Sequence, residues 1–278
     1  KNAPRLPANV TQGSSKHMKL GEIRHQPRHL INGRWVSGAT TGISINPSDT
    51  REVVAEFARA DRNQTELAIA AAADALPQWS LSTPQRRADA LDLAGSELLA
   101  RKDELGALLA REEGKTLPEA IAEVARAGNI FKFFAGEALR IGGETMASVR
   151  PGVQVDITRE PVGVVAIIAP WNFPFAIPAW KIAPALAYGN TVVFKPAELV
   201  PACGWALAEI ISRSGLPAGA FNLVMGSGRE VGQTLVDHPL INALSFTGSV
   251  ATGDRILRAA SQRRAKVQLE MGGKNPLI

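Results

Sequence analysis

Several short stretches of this sequence hold side chains whose types and spacing suit chemistry. In Pro170-Trp171-Asn172-Phe173-Pro174 a carboxamide stands between two aromatic rings and two prolines. Such an asparagine either satisfies local backbone groups, as loop asparagines often do, or presents a fixed hydrogen-bond donor to developing negative charge. Phe194-Lys195-Pro196-Ala197-Glu198 ends an apolar run with an ammonium and then a carboxylate. The lysine is compatible with snorkelling to solvent. Met225–Gly232 (MGSGREVG) and Gly248-Ser249 offer bare backbone amides, which make tight turns and also attract phosphate at helix starts. The first of these is not a G-x-G-x-x-G fingerprint. Glu270, followed by Met271 and Gly272-Gly273, suits a helix cap or a pairing with Lys274.

The elements that must position these residues follow from periodicity. Val162–Ala169 is a β-branched apolar run too short for a membrane span, as expected of a strand covered on both faces. Its carboxyl end delivers Trp171, Asn172 and Phe173 to the edge where open α/β sheets place ligands. Strands at 191–195, 220–224, 243–246 and 266–270 alternate with helices at 177–187, 201–214, 230–236 and 249–260. This alternation predicts βαβ units and a Rossmann-like parallel sheet with flanking helices.

Upstream, His29–Gly38 alternates around Asn32-Gly33 and predicts a hairpin. Glu52–Ala60 reads as a further edge element after a turn at Ile45-Asn46-Pro47. Helices are expected at 65–76, 83–101, 102–111 and 118–139, punctuated by Pro77, Pro84 and Gly114. Glu112 and Glu113 are expected to be solvated charges at a helix end. Val149–Arg159 alternates as a half-exposed strand with Val153, Val155 and Ile157 on one face.

Composition narrows the class. With 45% hydrophobic and 21% charged residues among 278, the chain is an ordinary soluble protein of one large or two ordinary domains. The net charge of +5 is spread through helices, and only Arg258, Arg263, Arg264 and Lys266 bunch, as at a solvated helix end. Nucleic acid is therefore not expected as a partner. No apolar stretch has transmembrane length, so no membrane partner is expected and a cytoplasmic location is. The single cysteine, Cys203, excludes an internal disulfide. It lies on the apolar face of a helix and reads as packing. No metal-ligand cluster stands out. Residues 1–28 read as a disordered leader or tag, 29–148 and 160–278 as one nucleotide-binding domain, and 149–159 as an arm.

PWNFP, FKPAE, Phe246-Thr247-Gly248-Ser249 and LEMGGKNP from Leu269 to Pro276, in this order, resemble the aldehyde dehydrogenase superfamily over roughly His29 to Ile278. The resemblance implies NAD, with NADP possible, and a small aldehyde substrate oxidised to a carboxylic acid. It implies Glu270 as general base, Asn172 as oxyanion donor and Lys195 as a further catalytic-site residue. The implied cofactor contacts are Ile168, Pro170, Trp171, Lys195, Glu198, Gly228, Phe246, Gly248, Ser249, Met271 and Gly272, with Trp171 and Phe173 lining the substrate passage. Lys195 and Glu198 would bond the adenosine ribose, and Glu198 leans the choice toward NAD because a carboxylate repels a 2′-phosphate.

In the family reaction a thiolate attacks the aldehyde, hydride passes to the nicotinamide, and water activated by Glu270 releases the acid. The family's nucleophilic cysteine lies beyond the position of Ile278, and Cys203 is misplaced for it, so the 278 residues alone are expected to be inactive. The 131–152 segment and KVQLEMGGKNP are most similar to the branch acting on α-ketoglutarate semialdehyde. Arg126 and Arg140 are candidates to clamp its carboxylate, and Trp180 stands where succinate-semialdehyde relatives carry an arginine. The arm at 149–159 implies a homo-oligomer, a dimer or tetramer. Two alternatives stay open: a non-catalytic dinucleotide-binding or assembly module, and an acyl-phosphate reductase on the same scaffold.

Overall fold

A computed structural model describes residues 26–274. Most of the expected leader, and Asn275-Pro276 of the last motif, lie outside the described residues. The central sheet has seven strands in the order β11-β10-β7-β8-β9-β1-β2. Its parallel part comprises β7 (Val164–Ile168), β8 (Thr191–Lys195), β9 (Phe221–Leu223), β10 (Ala243–Gly248) and β11 (Lys266–Met271). Helices α5 (Ala176–Ala187), α6 (Pro201–Ser212) and α8 (Val250–Gln262) connect these strands, so the chain has the expected α/β architecture. Strands β7 and β8 are covered on both faces, as their unbroken apolar runs require.

The opening hairpin, β1 (His29–Ile31) and β2 (Arg34–Val36), joins the far side of this sheet antiparallel to β9. Asn32 and Gly33 both take positive φ, 51° and 72°, as an Asn-Gly hairpin turn demands. Strands β3 (Thr40–Ile45) and β4 (Val53–Arg59) form a separate antiparallel pair.

Helices α2 (Pro84–Ala100), α3 (Lys102–Glu113) and α4 (Leu117–Leu139) supply one side of the core, and α1 (Arg62–Ser80) packs Ala68, Ile69 and Ala72 on the other side of the sheet. Pro77 does not stop α1 as expected but lies inside it. The last turn is held by tertiary contacts: Trp79 is fully buried and its indole N–H donates to Leu186 O at 3.2 Å.

Three other expectations change. The strand at 149–159 is half of a hairpin that starts earlier, β5 (Glu144–Ala147) against β6 (Gln154–Ile157), and every residue in both strands is exposed. Glu112 is not solvated: its carboxylate is buried and caps α6 by accepting Ala202 N–H at 2.9 Å and Cys203 N–H at 2.7 Å. The basic group after α8 is not simply a solvated end either, because Arg263 donates to the carbonyls of Val236 and Ile241 and latches the helix to the preceding loop. Among the described residues no helix is long and apolar enough to cross a membrane.

Candidate active site

The strand registers bring the expected residues into one row. Phe246 on β10 lies opposite Ile168 on β7, and Ile168 lies opposite Lys195 on β8, all at carboxyl ends of parallel strands. One step along, Thr247 faces Glu270 and Gly248 faces Met271 on β11. This is the edge of the sheet where a ligand meets strand termini.

Lys195 is buried, its Nζ donating to Pro196 O at 3.1 Å. Burial lowers its pKa from 10.5 to about 8, and the nearby Glu198 carboxylate opposes that shift. Glu198 is half-exposed at the mouth. A sequestered ammonium beside an accessible carboxylate provides a donor and an acceptor for a diol such as a ribose.

Above Lys195 lies the glycine-rich turn. The helix expected at 230–236 begins as a π-turn, Gly228–Gly232, that passes into α7 (Gln233–Asp237). The irregularity is of a kind that recurs at functional sites. Ser227 caps it by accepting Glu230 N–H at 3.0 Å. Gly228 is exposed, and a Cβ there would meet nothing within 4 Å. Packing among the described residues therefore gives no reason for glycine at 228, whereas a Cβ on Gly248 would sit 2.5 Å from the Phe246 ring. Ser249 caps α8, accepting Thr252 N–H at 3.3 Å and donating to Thr252 Oγ1 at 3.0 Å, so its hydroxyl is engaged locally. Lys195, Glu198 and the unfilled backbone at Gly228 fit an adenosine dinucleotide. Met271, the last residue of β11, and Gly272 after it are exposed, and Pro170 borders the cleft half-buried.

Asn172 and its neighbours occupy the loop between β7 and α5. Trp171 and Phe173 are about half exposed. Lys115 Nζ donates to Asn172 O at 2.9 Å, lies 4.2 Å from the Phe173 ring centroid, and pairs with Glu123 at 2.6 Å. Glu123 in turn caps α5, accepting Phe175 N–H at 2.9 Å and Ala176 N–H at 3.2 Å. The loop is thus anchored from α4.

Glu270 borders a cavity of about 450 Å³ lined by Ile177, Trp180, Lys181, Pro184, Ser245 and Gln268. Thr247 Oγ1 donates to Glu270 Oε2 at 3.2 Å, and Gln268 Nε2 donates to Oε1 at 3.1 Å. Lys181 Nζ donates to Gln268 Oε1 at 2.8 Å and to Ser245 Oγ at 3.0 Å. Burial pushes the Lys181 pKa down, and Glu270 pulls it back up. A carboxylate and a buried ammonium therefore share one amide. The cavity does not include Asn172. Sequence reasoning missed Lys181, Ser245, Gln268, Lys115 and Glu123. Only Lys181 carried a signal, as the one charge in the apolar helix AIPAWKIAPALA.

Of the two arginines considered for a carboxylate clamp, Arg140 pairs with Glu137 on the surface and Arg126 is exposed. Cys203 is buried in α6 as its helical periodicity predicts, and burial beside Glu112 pushes its thiol pKa well up. Among the described residues no group of three or more His, Cys, Asp or Glu could hold a metal ion.

A parallel sheet with a lysine–glutamate pair and a glycine turn at its carboxyl edge defines a nucleotide-binding α/β protein. A model of the aldehyde dehydrogenase family matches residues 35–278, and the chain belongs to that family. It is 44% identical over 254 residues to an α-ketoglutaric semialdehyde dehydrogenase of Bacillus subtilis, which covers 90% of this chain and 52% of the relative. It is 41% identical over 254 residues to an α-ketoglutarate semialdehyde dehydrogenase of Haloferax volcanii, again 90% and 52%. Among solved structures, a betaine aldehyde dehydrogenase of Staphylococcus aureus in complex with NAD+ superposes with a TM-score of 0.87 at 37% identity, over 90% of this chain and 50% of that one. The chain spans about half the length of the curated relatives it matches.

Proposed function

We propose that this chain is the dinucleotide-binding portion of an NAD(P)-dependent aldehyde dehydrogenase of the cytoplasm that oxidises α-ketoglutarate semialdehyde to α-ketoglutarate. The observation that carries the reading is the row Phe246–Ile168–Lys195, with Glu198 at its mouth and an open glycine turn beside it. The bound dinucleotide would accept hydride from the substrate. Lys195 and Glu198 would hold the adenosine ribose, the Gly228 backbone would approach the phosphates, Asn172 would donate to an oxyanion, and Glu270 would take a proton from water. The substrate assignment rests on the two semialdehyde dehydrogenases, which are more than 40% identical to this chain. The exposed apolar row of Val153, Val155 and Ile157 suits pairing with a second copy in a dimer or tetramer.

The 278 residues themselves bind dinucleotide without turnover. Their sole cysteine is sealed under α3 with a raised pKa, and a thiol held protonated is no nucleophile. Isothermal titration with NAD+ tests the reading. The chain is expected to bind, and Lys195→Met to weaken binding about 10- to 100-fold, as for loss of a charged hydrogen bond. An unchanged affinity in that variant would remove Lys195 from the site.

A further inference from the structure

Arg59, at the end of β4, lies outside the parallel sheet yet reaches its mouth. Its Nη2 stands 3.5 Å from Glu198 Oε1. The guanidinium is held in a slot: its carbon lies 5.5 Å from the Phe57 ring centroid, and a Cβ on Gly42 of β3 would fall 2.7 Å from Nε. A side chain at 42 would force Arg59 or the Phe57 ring to shift. The next residue, Ala60, donates its N–H to Met225 O at 2.8 Å, which ties the end of β4 to the start of the glycine-rich turn. Arg59 thus stands at the rim beside Glu198, one residue from the point where β4 is tied to the glycine-rich turn.

The pair is open to solvent, with side chains 46% and 36% exposed, so its contribution to folding is small. Its chemistry matters more for what enters the cleft. A carboxylate alone accepts two ribose hydroxyls and repels a phosphate on the 2′ oxygen. A guanidinium beside it offsets that charge and offers a planar fork suited to phosphate oxygens.

We infer that Arg59 is a specificity residue that lets the ribose site accept a 2′-phosphate as well as a 2′-hydroxyl, exchanging Glu198 for the phosphate when NADP+ enters. The inference rests on the dinucleotide reading above. It makes the cofactor preference a property of β4, a strand remote in sequence from the Lys195–Glu198 motif.

The test is titration calorimetry of the 278-residue chain and its Arg59→Ala and Arg59→Lys variants with NAD+ and with NADP+. Arg59→Ala is expected to weaken NADP+ about 10- to 100-fold and NAD+ by less than about threefold. Arg59→Lys, a point charge without the fork, should fall between and shows whether any loss in the alanine variant is one of folding. An unchanged ratio of the two affinities in Arg59→Ala, or equal weakening of both nucleotides, overturns the inference and leaves the dinucleotide reading standing. The same holds for a wild-type chain that binds NAD+ and refuses NADP+. A wild-type chain that binds neither overturns the dinucleotide reading itself, and this inference with it.

Discussion

The loop carrying Asn172 is predicted to depend on a glutamate about fifty residues upstream. Glu123 is almost completely buried, its side chain 2% exposed, and accepts from Phe175 N–H, Ala176 N–H and Lys115 Nζ. Truncation in Glu123→Ala orphans two buried amides, each costing ~1–3 kcal/mol. It also strips a largely buried ammonium of its main partner, and breaking such a pair costs ~3–5 kcal/mol. These effects overlap, and Lys115 retains Asn172 O and a Glu113 carboxylate at 3.9 Å, so the expected loss is about 3–5 kcal/mol in total. Glu123→Gln keeps an acceptor for the amides but loses the charge, and should lose about 1–3 kcal/mol. Urea unfolding followed by circular dichroism gives the totals. Hydrogen exchange at Phe175 and Ala176 gives the location, with exchange expected to accelerate there before it does in the β7–β8 core. Both variants should bind NAD+ almost as the wild type does, because Lys195 and Glu198, at and just past the end of β8, lie outside this loop. A loss below about 1 kcal/mol in Glu123→Ala, with unchanged exchange at the two amides, would refute the claim that this carboxylate holds the loop.

Two further outcomes follow from buried titratable groups. His29 accepts Met225 N–H at Nδ1 (3.2 Å), and burial lowers its pKa from 6.5 to about 4. The unfolded chain therefore takes up the proton first as pH falls, and stability held above pH 6.5 should decline by ~2 kcal/mol between pH 7.5 and 5, a loss that His29→Gln should remove from the urea midpoints. Cys203 should resist a disulfide reagent at pH 8 in the folded chain and react at once in denaturant, whereas fast labelling without denaturant would contradict its burial under Glu112.

What the sequence discloses depends on the range of the interaction. Strand β8 is legible because TVVFK is β-branched and ends at a proline, and Lys195 is placed by that strand alone. The same local logic sets Asn32-Gly33, Cys203 and the order of strands and helices. Glu112 and Glu123 look like ordinary helix charges until α6 and α5 fold against them, across 90 and 52 residues. Lys181 acquires meaning only through Gln268, 87 residues away. Pro77 obeys its local rule in the sequence and is overruled by Trp79. The π-turn at Gly228–Gly232 has no periodic signature, since a single widened turn leaves too few residues to repeat.

The placement of the first hairpin has a consequence for how the chain is made. Asn32 N–H donates to the Asn222 side chain across 190 residues, and β1 can pair with nothing in its sheet but β2 until β9 exists. At roughly 5–20 residues per second, a ribosome needs about 10–40 s to supply that partner. During this interval Leu30 and Ile31, buried at the end, face solvent or a chaperone. Closing so long a loop also comes late on entropic grounds. Assembly of the sheet should therefore proceed from β7 and β8 outward, with the earliest-made strands among the last to dock.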